Sequence, residues 1–138
     1  MRDCLNAVLI ALIAVGATMT RAEVEITSPD GNLVATFAIR DFGDARDCPC
    51  YRVDYKGRAV LVESRLGLDL DGAAQGEGMA LTGQTVSRHD STWRPVCGER
   101  AEIRDCYNQV VVELKEAKAP GRVVRVTFRA YDEGIAFR

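Results

Sequence analysis

The chain has 138 residues, of which 28% are charged, with 18 lysines plus arginines against 20 aspartates plus glutamates and a net charge of −2. This length corresponds to one domain. A near-neutral charge, with no basic stripe and no alternation of basic and aromatic residues, excludes a nucleic-acid-binding protein.

The N-terminus predicts export. An apolar run extends from Ala7 to Met19, which is shorter than the ~20 residues needed to cross a bilayer. Residues 20–22 (Thr-Arg-Ala) place small side chains at the −3 and −1 positions of a cleavage site. We therefore expect residues 1–22 to be a signal peptide rather than a membrane anchor. The mature chain would begin at Glu23 in the periplasm or outside the cell, with no membrane association after cleavage.

The predicted export also bears on the oxidation state of the cysteines. Of the five cysteines, four lie after the predicted cleavage site: Cys48, Cys50, Cys97 and Cys106. An even number in an oxidising compartment favours two disulfides. A bridge between Cys48 and Cys50, with one proline between them, would be strained. Two alternatives remain: both reach the Cys97/Cys106 region, or Cys97 pairs with Cys106 and the Cys-Pro-Cys stays reduced. The spacings lack the short knuckles of a zinc site, so we predict no metal site.

The mature sequence alternates apolar and polar residues, which is the period of β-strands with one buried face. The strand predictions are 25–27, 33–40, 53–55, 58–62, 66–70, 110–115, 124–130 and 135–137.

Turn residues separate these strands. They are Asp30-Gly31, a two-residue hairpin loop at Lys56-Gly57, a glycine-rich loop over 71–78, a type II turn with Pro120-Gly121 at its centre, and Asp132-Glu133-Gly134. About eight to ten short strands with one wet face predict an all-β fold, an antiparallel β-sandwich. Because the last predicted strand runs to the end of the sequence, we expect the sandwich to be incomplete at its C-terminus.

The sequence contains no complete set of catalytic groups. A glycosidase needs two carboxyl groups across the sugar, and Glu99 with Glu102 is a candidate pair. Arginines follow both closely in sequence, which favours surface ion pairs instead. His89 is the only histidine. Its sequence neighbours Asp90 and Ser91 suggest a triad, but three consecutive residues cannot all converge on one point, so we interpret His89 as a solvated loop residue.

Six blocks resemble the N-terminal domain of glycoside hydrolase family 97, in the family's order. They are Ser28–Gly31, Tyr51–Gly57, Ser64–Leu68, Thr92–Arg100, Ile103–Asn108 and Phe128–Arg138. The resemblance implies that residues 23–138 are the first part of the large sandwich of a three-part enzyme. Such enzymes cleave α-linked glucosides or galactosides in a (β/α)8 barrel, which is not in this chain. Calcium is implied for the whole enzyme, with its ligands outside this segment.

Two departures from the family pattern are cysteines. Cys97 stands where relatives tend to have tryptophan, and Cys106 where they tend to have histidine. This coincidence, nine residues apart, is our reason for favouring a Cys97–Cys106 bridge, and it leaves the role of that loop open.

The segment from Trp93 to Asn108 is the candidate site for contact with an α-glucan or α-galactoside or with the catalytic barrel. Trp93 and Tyr107 offer flat apolar faces with a polar edge, and Glu99, Arg100 and Asn108 offer directional hydrogen bonds. The competing interpretation makes Trp93 a core residue at one end of the sandwich.

Three functional hypotheses follow. The chain is the accessory N-terminal portion of a family 97 glycosidase, inactive by itself; or a free-standing exported carbohydrate-binding module; or a poorly folded remnant.

Overall fold

A computed structural model describes residues 23–67 and 76–138. The predicted signal peptide, residues 68–70 of one predicted strand and residues 71–75 of the predicted loop lie outside this part. The strands are β1 (Glu23–Thr27), β2 (Leu33–Phe42), β3 (Ala45–Tyr55), β4 (Arg58–Arg65), β5 (Met79–Trp93), β6 (Ile103–Glu116), β7 (Val123–Ala130) and β8 (Ile135–Phe137).

The eight strands form two four-stranded sheets, β1-β2-β3-β4 and β5-β6-β7-β8. Every pairing is antiparallel and joins strands that are neighbours in sequence. No helix occurs among the described residues, and none of them therefore forms a helical span suited to a bilayer. The predicted all-β sandwich is confirmed.

The core lies between the two sheets, where the alternating apolar positions of both meet. In β2 the odd positions from Leu33 to Ile39 face inward, as their alternation predicts. Phe128 of β7 is 1% exposed and packs against three rings: Phe37 at 5.8 Å, Phe137 at 5.7 Å and Tyr51 at 6.3 Å between centroids. This aromatic cluster joins both sheets, and offset or tilted rings at such distances are favourable.

Two turns show how local chemistry sets the strand register. Lys56 and Gly57 both have positive φ, 49° and 74°, which is the geometry of the two-residue hairpin turn predicted there. The Pro120-Gly121 prediction was wrong in detail. Gly121 donates its N–H to the carbonyl of Lys118 at 2.8 Å, so Ala119 and Pro120 occupy the centre of that turn and glycine follows it.

Strand β5 was not predicted. Its central residues are mostly polar and exposed, so an apolar alternation is missing from the sequence. The strand is formed by pairing with β6 over nearly its whole length, from Met79 opposite Glu116 to Trp93 opposite Ile103. Because His89 lies inside β5, our interpretation of it as a loop residue was wrong.

Candidate functional site: the β5–β6 hairpin

The candidate residues all lie on one long hairpin, formed by β5, β6 and the nine residues between them, 94–102. Trp93 ends β5, while Glu99 and Arg100 lie in the connecting loop and are exposed. Tyr107 and Asn108 lie further down β6. The hairpin therefore presents three predicted residues at its tip and two beside the body of the sandwich.

Trp93 is 51% exposed, so the interpretation of this residue as a core plug was wrong. Its ring stacks on no other ring within the described ranges. The tip is held by surface ion pairing instead. Arg94 donates two hydrogen bonds to Glu102 Oε1, at 2.8 and 3.0 Å. Glu102 is thus ion-paired as expected, although with Arg94 rather than with an arginine that follows it.

Tyr107 and Asn108 point to opposite faces of the second sheet, since neighbouring strand residues alternate. Tyr107 lies on the outer face, away from the core, and is only 8% exposed because other side chains surround it. Asn108 faces the other sheet and donates its side-chain N–H to the carbonyl of Thr27 at 2.7 Å. This bond ties β6 to the end of β1, which gives Asn108 a structural role.

His89, Tyr107 and Tyr131 form a row of rings across the outer face of the second sheet. His89 stands opposite Tyr107 in the strand register and stacks on it at 5.0 Å between centroids. Tyr131, just after β7, lies at 5.1 Å on the other side of Tyr107. The guanidinium of Arg129 lies 4.4 Å from the Tyr107 ring centroid, within the range of a cation–π contact.

His89 does not form a catalytic triad. Its Nε2 is 2.8 Å from Ser91 Oγ and 3.5 Å from Asp105 Oδ2. Both contacts use the same ring nitrogen, whereas in a triad the nucleophile contacts one ring nitrogen and the carboxylate contacts the other. Asp90 lies on the opposite face, where Arg104 donates two hydrogen bonds to it, at 2.7 and 2.9 Å. The expectation that His89, Asp90 and Ser91 do not all converge is correct.

Two carboxylates of the hairpin, Asp90 and Glu116, are ion-paired with arginines and have lowered pKa values. The hydrogen bonds from Arg104 hold the pKa of Asp90 below its usual value. Those from Arg122 do the same for the pKa of Glu116. A general acid in a glycosidase needs a raised pKa, so these two carboxyls are unsuited to that task.

The four cysteines are unbridged in the structure. Cys48 and Cys50 are fully buried in β3, Cys97 is exposed in the hairpin loop, and Cys106 is half-buried on β6. Burial, reinforced by the charge of Glu63, raises the pKa of the Cys50 thiol to about 11. The Cys97–Cys106 pairing therefore stays a prediction.

Two clefts lie away from the hairpin tip. One of about 370 Å³ covers the outer face of the first sheet and is lined by charged side chains, including Arg40, which pairs with both Glu23 and Glu63. The other, of about 260 Å³, opens between the two sheets and is apolar, with Phe137 and Leu66 on its walls. In the described ranges no three histidine, cysteine, aspartate or glutamate side chains converge to hold a metal ion.

Three of the family-like blocks meet at one end of the sandwich. The backbone N–H of Asp30, in the β1–β2 turn, donates to Asp132 Oδ1 in the β7–β8 turn at 2.8 Å. The Asn108–Thr27 bond lies at the same end. A sequence profile described as "Glycosyl-hydrolase 97 N-terminal" matches residues 26–138. The chain belongs to glycoside hydrolase family 97.

Relatives agree with this assignment. A retaining alpha-galactosidase from Bacteroides thetaiotaomicron is 29% identical over 135 residues, which is 97% of this chain and 19% of that enzyme. Solved structures of a family 97 enzyme from Pseudoalteromonas sp. strain K8, including complexes with panose and acarbose, match 83% of this chain with a TM-score of 0.75 and 25% identity. A beta-arabinopyranosidase shares the fold, with a TM-score of 0.71 and 24% identity. The family 97 chain spans less than a fifth of these relatives' length.

Proposed function

We propose that this chain serves as the accessory N-terminal sandwich of a family 97 glycosidase that acts on α-linked glucosides or galactosides. The observation that carries the proposal is the family match over residues 26–138, combined with a span of only 17–19% of the relatives' length. The partner of the sandwich is then the catalytic barrel of the parent enzyme. Its ligand is the sugar that reaches the barrel.

The hairpin tip is the part of the chain that suits this role. Trp93, Glu99 and Arg100 are exposed beyond the body of the sandwich. An aromatic face beside a carboxylate and a guanidinium can contact sugar hydroxyls and ring C–H groups, or the polar rim of a neighbouring domain. We assign the tip to contact with the barrel or with sugar bound there.

The chain by itself has no hydrolytic role in this proposal. We expect no turnover of p-nitrophenyl α-glucoside or α-galactoside by the purified chain, with an intact family 97 α-galactosidase as the positive control. Turnover that disappears in the Glu102→Gln variant would overturn the proposal. So would coding DNA that carries no barrel-encoding frame after codon 138, since the parent enzyme would then not exist.

Export and oxidation complete the proposal. Residues 1–22 act as a signal peptide, so the mature chain starts at Glu23 in the periplasm or outside the cell, where Cys97 and Cys106 form a disulfide. N-terminal sequencing and non-reducing peptide mass spectrometry of the exported protein test both points. An intact Met1 or two free thiols at these positions would contradict them.

Calcium belongs to the parent enzyme in this proposal. The described residues offer no convergent set of three ligands, whereas calcium takes six to eight oxygens. In the proposal the calcium ligands lie outside this segment, and no step of the reaction is assigned to the sandwich residues through the ion.

A further inference from the structure

The outer face of the second sheet carries a line of side chains whose chemistry is that of a sugar site. Along β5, residues His89, Ser91 and Trp93 alternate onto this face, opposite Tyr107, Asp105 and Ile103 of β6. The row His89–Tyr107–Tyr131 crosses three chain segments at one end, and the exposed indole of Trp93 stands at the other. Four residues of strand separate the two ends, about 13 Å at ~3.3 Å per residue.

Polar groups surround the ring row. Arg129 Nε donates to Gln109 Oε1 at 2.9 Å, and Ser91 Oγ contacts His89 at 2.8 Å. Asp105 lies 3.5 Å from the same imidazole. Guanidinium, amide and carboxylate groups each offer two donors or acceptors in one plane, an arrangement suited to pairs of adjacent hydroxyls.

Charge on this face selects the class of ligand. The acidic side chains Asp105 and Glu113 share this face with the basic side chains Lys115, Arg125 and Arg129, and Glu113 accepts a hydrogen bond from Arg125 at 2.7 Å. A face without one dominant sign attracts neither a polyanion nor a polycation. It is also too polar to be the centre of a stable protein interface, which is depleted of charged residues.

We propose that this face is a binding site for a neutral oligosaccharide. One sugar ring lies against the indole of Trp93, and a second is hydrogen-bonded at His89, Asp105 and Arg129. The distance between the two ends requires more than a disaccharide to span them. The site shares Trp93 with the hairpin tip and otherwise lies on the sheet, and it rests on the proposed function only in its choice of a saccharide from the parent enzyme's substrates.

Trp93 is the only tryptophan of the chain, so its fluorescence reports on the site directly. We expect maltoheptaose or stachyose to shift the emission of the purified chain to shorter wavelength in a saturable manner. Glucose at the same concentration should leave it unchanged. His89→Ala and Tyr131→Ala keep the reporter and should weaken binding at least tenfold.

The matched control is Val86→Ala. Val86 is exposed, lies on β5 three residues from His89 and points to the opposite face, so this variant should bind as the parent chain does. Because Trp93→Ala lacks the fluorescent reporter, its affinity for the saccharides is measured by calorimetry. A cooperative melt shows that each variant is folded. No response to either saccharide, or equal affinity in Trp93→Ala, would overturn the site. The absence of hydrolysis by this chain and the coding sequence after codon 138 test the parent-enzyme assignment separately.

Discussion

Ser28 lies at the end of the sandwich where the family-like blocks meet, and we expect its buried hydrogen bond to stabilise the fold. The residue is 2% exposed. Its Oγ accepts the backbone N–H of Leu33 at 3.0 Å and donates to Asp30 Oδ1 at 2.5 Å. Ser28→Ala leaves the buried N–H of Leu33 without an acceptor, and an orphaned buried donor costs about 1–3 kcal/mol. We expect the free energy of unfolding to fall by that amount, from a total of roughly 6–17 kcal/mol for a domain of this size.

The assay is urea unfolding followed by far-UV circular dichroism, because Trp93 lies at the hairpin tip and its fluorescence reports little on the core. Ser64→Ala is the matched control. Ser64 Oγ donates to the carbonyl of Val62 at 2.9 Å on an exposed strand, where water can replace the lost partner. That variant should change stability by less than about 0.5 kcal/mol. Equal losses in the two variants would refute the reasoning, since the cost would not depend on burial.

Three further predictions follow from the core, the turn and the thiols. Phe128→Ala should lower the free energy of unfolding, measured in urea, by about 3–5 kcal/mol. Val62→Ala is the control, and its change in unfolding free energy should be close to zero because Val62 is 72% exposed. Hydrogen bonds from Ser28 and Asn32 lower the pKa of Asp30 to about 2 from 3.8. This carboxylate therefore stabilises the fold above about pH 4, and its contribution is lost as the pH falls through 2. In acid unfolding, the Asp30→Asn variant should lose less stability than the parent chain between about pH 4 and pH 2. In the reduced native chain, iodoacetamide should label exposed Cys97 before Cys50, whose thiol is buried and has a raised pKa; equal rates by peptide mass spectrometry would contradict the fold around β3.

Most strands could be predicted because a strand with one buried face alternates apolar and polar residues. A strand that is formed only by hydrogen bonds to its neighbour has no such pattern, and it was missed. Leu33–Ile39 and Val124–Ala130 were evident, since one face of each strand is buried in the core. Strand β5 carries few apolar residues and is stabilised by its hydrogen bonds to β6, which no periodicity reveals. The row around Tyr107 was missed for the same reason. His89, Tyr107 and Tyr131 are distant in sequence, and only the register of three segments brings their rings together.

The family-like blocks divide into those that the sandwich itself explains and one that it does not. Ser28–Gly31 and the turn around Asp132 are joined by a hydrogen bond from the backbone N–H of Asp30 to the Asp132 side chain, and Asn108 ties its own block to Thr27. The block Thr92–Arg100 differs, because its side chains are nearly all exposed. A segment that resembles the family yet stabilises little within its own domain is best explained by a contact outside that domain. We therefore propose the hairpin tip as the functional contact of the chain. Glu99 and Arg100 are the residues to change in the parent enzyme: their alanine variants should lower its turnover while leaving the unfolding free energy of the sandwich within about 0.5 kcal/mol. Unchanged turnover in both variants would contradict this assignment.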